Sequence, residues 1–162
     1  MPEMGILNYS TKISAQMSAA EISGKLAYMG ANSVQIVYDE RRLPVGISFI
    51  IQVTGSFVEF RLPCRWQGVK RAIEQDKTIP RTFKTDEQAL RVSWRIVKDW
   101  IEAQMAIIES QSAELAEVFL PYAVNPNSGM TLFQTFEESP TRLLNSGDEI
   151  VDGEYTESEQ NG

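Results

Sequence analysis

The sequence predicts an α+β domain: an N-terminal helix, a three-stranded antiparallel β-meander, a short helix and one long helix packed on the sheet, then a disordered acidic C-terminal tail. Three observations carry that prediction. Two segments open with a capping-box pattern and continue with apolar residues at spacings of three and four, the mark of amphipathic helices. Between them, residues 33–62 hold three runs rich in β-branched and aromatic residues, separated by turn residues. From Glu137 onward eight acids stand against Arg142 alone, too little apolar content to support packing. The expected division is one domain over residues 1–137 and a disordered tail over 138–162.

In chain order, residues 6–13 fit either a short strand or an extended arm. Ser18 and Glu21 form the first capping box, with Met17 and Ile22 as its hydrophobic staple, and Gly30 fits a left-handed C-terminal cap. A helix over about 19–29 is expected, with Ile22, Leu26 and Met29 inward and Lys25 outside. Ser33 to Tyr38 reads as a strand ending at the charged turn Asp39 to Pro44. Val45, Ile47, Phe49, Ile51 and Val53 then alternate with Gly46, Ser48, Ile50 and Gln52 as a half-buried strand. A turn at Thr54, Gly55 and Ser56 leads into a third strand, alternating through Val58, Phe60 and Leu62, which Pro63 ends.

Residues 66–75 read as a short helix with Val69, Ala72 and Ile73 inward, followed by a loop to Lys84. Thr85 and Gln88 form the second capping box, with Asp86 and Glu87 favoured in the first turn by the helix dipole. The long helix, expected to reach about Gln111, aligns Leu90, Trp94, Val97, Ile101, Met105 and Ile108 on one face. At roughly 39 Å it exceeds what a compact domain of this size needs for its own core, so oligomerisation through residues 86–111 is expected, with Trp94, Trp100, Ile101 and Met105 as interface residues. Core packing is the competing role for both tryptophans. Leu115 to Leu120 suggests a further turn stopped by Pro121; 125–129 is a loop, and 130–136 a last strand or helix.

Composition excludes much chemistry. The chain has no histidine and a single cysteine, Cys64, so it holds no internal disulfide, Ser-His-Asp or Cys-His nucleophile, or Cys/His zinc site. Neither Asp39 with Glu40 nor Glu114 with Glu117 has calcium-loop spacing, and Ser23-Gly24-Lys25-Leu26 only imitates the end of a P-loop. No cofactor, no metal and no enzymatic activity are expected. Cys64 beside Arg65 raises the prospect of a lowered thiol pKa, although a structural thiol fits better without a histidine partner. No segment reads as a secretory signal or a membrane span, so a cytoplasmic protein with no membrane partner is expected.

The formal net charge of −7 conceals an asymmetry. Residues 1–40 carry −2, residues 41–98 carry +7 and residues 99–162 carry −12. The basic block contains Arg61, Arg65, Lys70, Arg71, Arg91, Arg95 and Lys98, the last three on one helix face, with Trp66, Phe57 and Phe83 close in sequence as base-stacking surfaces. Cations that neutralise phosphates beside aromatic faces suit single-stranded nucleic acid. The competing expectation is a solvated face paired with Glu87, Asp99 and Glu102. The acidic tail either competes with nucleic acid for the basic site or keeps the chain soluble.

Asn8 to Ile13, the FRLP at Phe60 to Pro63, Trp94 to Gln104 and the FLPY at Phe119 to Tyr122 resemble a family of small proteins encoded by phages and prophages, over roughly residues 5–136. The resemblance implies a mobile-element context and brings no activity with it. Set in that context, the expected function is a non-enzymatic accessory protein that binds single-stranded nucleic acid, or a host or phage nucleic-acid enzyme, during replication or recombination. The alternatives are an inhibitor of a host defence nuclease that imitates DNA charge with Glu109, Glu114 and Glu117, and a structural or regulatory oligomer.

Overall fold

Ser14, not Ser18, opens the first helix. In the computed structural model, which describes residues 6–145, helix α1 spans Ala15–Tyr28, and the Met17 amide donates to Ser14 Oγ at 3.1 Å. Starting one turn earlier buries Ala15, Ser18 and Ala19 with Ile22 and Leu26, small side chains that let α1 lie close to the long helix. Ser18 is therefore an interior residue rather than a cap, and Met17 is exposed rather than a staple. The C-terminal end is as expected. Gly30 adopts a left-handed φ of 106°, the Ala31 amide donates to Leu26 O and the Gly30 amide to Ala27 O, a Schellman motif.

Strands β1 (Ser33–Tyr38), β2 (Pro44–Val53) and β3 (Ser56–Pro63) form an antiparallel sheet in the order β1-β2-β3. Thr54 and Gly55 both have positive φ, the type I′ geometry whose twist matches the flanking strands. The pairings Phe49↔Phe60, Ile47↔Leu62 and Ile36↔Ile47 put the apolar half of each strand on one face, where Ile47, Phe49, Ile51, Phe60 and Leu62 are buried. The other face carries Gln35, Ser48, Ile50, Phe57, Glu59 and Arg61.

Helix α2 (Trp66–Gln75) packs on helix α3 (Asp86–Glu109), which also packs on α1. Thr85 Oγ1 accepts from the Gln88 amide, so the N-cap half of the expected box forms. The return half does not: the buried Gln88 amide group donates to Tyr9 O and Thr11 O instead. Those bonds hold residues 6–13 as an arm with a turn at 7–10, and Asn8 Nδ2 donates to Asp99 at 2.7 Å. Tyr9 meets Phe83 edge-on beside the small core of Ile73, Ile79 and Val92.

The predicted apolar stripe of α3 faces the domain's own core. Trp94 is 1% exposed and its indole N–H donates to Pro44 O at 2.8 Å; Ile101 is fully buried and Met105 nearly so. Core packing claims Trp94, Ile101 and Met105, which leaves them no free surface for a second subunit. The helix ends at Glu109, two residues before the expected Gln111, which takes the left-handed position of another Schellman motif.

Helix α4 (Leu115–Phe119) runs into a 3-10 turn at Leu120–Tyr122, after which Ala123 bridges Phe60 and the Val124 amide donates to Glu59 O, covering the outer edge of β3. Thr131 and Gln134 form a reciprocal capping box, which settles 130–136 as helix α5 (Leu132–Glu138) rather than a strand. Helix α6 (Pro140–Asn145), with no buried residue, follows at the start of the expected tail. The remainder of the expected tail, 146–162, lies outside the described residues.

Two glycines predict opposite outcomes. A Cβ at Gly46 would stand 2.9 Å from Leu62 O, a backbone atom that cannot step aside, so Gly46→Ala should destabilise by about 1–3 kcal/mol. Gly24, inside α1, has nothing within 4 Å, so Gly24→Ala should stabilise by about 0.5–1 kcal/mol. Urea denaturation midpoints measure both signs.

Candidate nucleic-acid interface

Most of the predicted cations are already neutralised by neighbouring acids. Lys70 bonds Asp86 at 2.7 Å and Glu74 at 3.0 Å; both carboxylates hold its ammonium above the usual lysine range, Asp86 most, while Lys70 holds Asp86 below the usual carboxylate range. Arg91 pairs with Glu87 at 2.6 Å. Lys98 pairs with Glu102 at 2.7 Å and stands 3.7 Å from Asp99. Glu87, Asp99 and Glu102 are the acids expected for a solvated face, and Arg95 finds a different one, Glu21 on α1, at 3.1 Å. Arg91, Arg95 and Lys98 do share a side of α3, but Arg95 is spent on the joint with α1 and Lys98 on acids of α3 itself. At that joint Lys25, on the outside of α1 as expected, also reaches Glu102. Arg71 is exposed on α2 with no ion pair among the described residues.

Trp66 is half-buried. It packs against the main core, and its indole nitrogen is buried without a hydrogen-bond partner. Phe83 is occupied by Tyr9, while Phe57 is exposed on the hairpin, on the open face of the sheet. Cys64 is buried and donates to Ser93 Oγ at 3.1 Å. Burial pushes its thiol up to about 11 against the opposing pull of Ser93, the reverse of the lowered value considered for a cysteine beside Arg65.

Two of the predicted cations do converge. Pro63 ends β3 and places Arg61 before it and Arg65 after it on the rim of a depression of about 180 Å³, shared with Tyr122, Thr131, Phe133 and Gln134. Arg61 bonds Glu59 at 3.2 Å and Gly129 O at 3.3 Å, which steadies its guanidinium across the rim. Arg65, the exposed residue before α2, makes no ion pair among the described residues. Pro63 and Tyr122 also line a second, apolar depression of about 170 Å³, walled by Leu62, Ile96, Val97 and Trp100. Trp100 is thus a wall of that depression, half-buried against Phe119 and Tyr122, with ring centroids 5.5 and 5.9 Å away.

Pro63 and Tyr122 thus stand between a cationic cleft and an apolar, aromatic depression. Sequence reading named Arg61, Arg65 and Trp100 but missed Tyr122, Thr131, Phe133 and Gln134. The Thr131-x-x-Gln134 box was legible as a helix start; that the loop at 125–129 turns this helix back onto β3 was not.

Other features are less suited to an anion. A groove of about 630 Å³ between α1 and α3 has Gly24, Met105 and Ala106 in its lining but also carries Glu21, Glu102 and Glu109. Glu114 and Glu117 close the capping box of α4. Among the described residues, no three His, Cys, Asp or Glu side chains gather as a metal would need, and no helix is long and apolar enough to cross a membrane. No family model, curated protein or solved structure matches the chain.

The joint between α1 and α3 makes a pH prediction. Hydrogen bonds from Lys98 and then Lys25 hold the Glu102 carboxyl below its usual range. A carboxyl with a lowered folded pKa contributes stability above its unfolded value, about pH 4.3, and loses it as pH falls through the folded value. Glu102→Gln should therefore melt lower than wild type at pH 7, and the two melting curves should converge between about pH 4 and 2. Thermal melts across that range measure it.

Proposed function

We propose that this chain binds single-stranded nucleic acid, without catalysing a reaction on it, through the cleft at the end of β3. The observation that supports this reading is the convergence of Arg61 and Arg65 with the rings of Tyr122 and Phe133 around one depression. A phosphate needs a cation that is not already neutralised, and Arg65 supplies one. An unpaired base needs an aromatic face, which costs little selectivity because every base has one. Duplex reading through α3 is disfavoured, since Arg91, Arg95 and Lys98 are paired with acids and half-buried. The phage resemblance adds the setting, an accessory role in replication or recombination in the host cytoplasm, either on the strand itself or beside an enzyme that works on it.

The acidic end of the chain belongs to the same proposal. Residues 146–162 carry six acids and no base, so they act as a competing anion for a site whose strength is electrostatic. Fluorescence anisotropy with a labelled oligothymidylate at about 50 mM salt tests the reading. Binding should weaken steeply toward about 200 mM, tighten when the chain is cut after Asn145, and weaken on Arg65→Ala. Phe133→Ala, at an exposed ring, should cost about 1–3 kcal/mol of binding with the fold intact. Absence of binding by the shortened chain at the lower salt refutes the proposal.

A further inference from the structure

The two edges of the sheet are finished differently. At β3 the Val124 amide donates to Glu59 O at 2.8 Å and Ala123 bridges Phe60, so that edge is closed by the chain itself. At β1 there is only β2 on one side, and among the described residues no segment pairs with the other side. A strand edge presents unpaired backbone donors and acceptors, and monomeric proteins guard such edges with lysine, proline, a central bulge or an overlying loop. The strand Ser33–Tyr38 has no charged residue and no proline, and its irregularity falls at its very end, between Val37 and Tyr38. On it Val37 and Tyr38 are 36% and 52% exposed.

We infer that the open edge of β1 is an interface for a second copy of this chain, joined antiparallel about a two-fold axis into a six-stranded sheet. This surface is independent of the nucleic-acid cleft, and it differs from the α3 face, which the core consumes. Charge selects the occupant. A strand without charge pairs with itself with no like charges opposed, whereas an acidic or basic peptide finds no counter-charge along it. An axis through Gln35 sets Val34 of each copy opposite Ile36 of the other and keeps both on the core side, so the buried layer runs on across the junction. The same axis brings Gln35 against its own copy on the open face, and Ser33 of each strand opposite Val37 of the other.

Light scattering on a sizing column tests this with the full chain. At about 100 μM the expected mass is twice 18.2 kDa. Gln35→Lys, at an exposed position, sets two like charges face to face and should weaken association at least about tenfold, returning the 18.2 kDa species. Gln52→Lys, exposed on the same face of the middle strand, should leave the dimer intact. Hydrogen exchange needs no variant: the β1 amides should gain protection as concentration rises. A wild type that stays at 18.2 kDa with unchanged exchange, or a folded Gln35→Lys protein that stays dimeric, overturns the inference.

Discussion

The structure is organised around a run of aromatic rings that leads from the middle of the sheet to the surface. Phe60 stacks on Phe49 at 5.5 Å, Phe49 meets Phe119 edge-on, Phe119 meets Trp100, and Trp100 meets Tyr122. Each contact is between different elements: β3 with β2, the sheet with α4, α4 with α3, α3 with the 3-10 turn. Large rings at 5–6 Å in edge-to-face order have few alternative packings, so each joint fixes the angle of the next. Tyr122, the last ring, lines both depressions. The position of the candidate site is thus set by the core itself.

Much of the architecture was legible because local rules sufficed. Alternation assigns each strand its faces, Gly30 marks the end of α1, Thr85 marks the start of α3, and the whole meander follows from turn residues. The start of α1 was misread because Ser14 and Ser18 both stand where a cap can act, and the capping rule does not choose between them. Burial of Ala15, Ser18 and Ala19 against α3 chooses, and that is a tertiary fact. Gln88 teaches the same lesson: its side chain left the reciprocal cap for two carbonyls of a segment almost eighty residues away.

The site was legible only by composition. The basic block was real, yet neutralisation depends on which acids other elements bring alongside, and neither Glu21 beside Arg95 nor Asp86 beside Lys70 follows from helix spacing. What gathers at one depression is the pair around Pro63, while Arg71 stands apart on α2. The length of α3 likewise has an internal cause. About 36 Å of helix serves α2 and the arm at one end and α1 at the other, so a helix that looks oversized for one core is spanning two adjoining ones.

The arm has a consequence for how the chain comes together. The hairpin of β2 and β3 and the turn into β1 close over short loops, and loop closure of that kind costs little entropy. The arm, by contrast, is fixed by contacts from Tyr9 and Thr11 to Gln88 and from Asn8 to Asp99, after most of the domain has been threaded. Its hydrogen bonds span 77 to 91 residues of chain, so docking it closes a long loop at a higher entropic cost than the hairpin. Ile6 and Tyr9 of the arm pack against Ile73, Ile79 and Val92, so the arm is part of what keeps the small core from water. The small core is thus closed by a segment distant in the chain from the elements that form it.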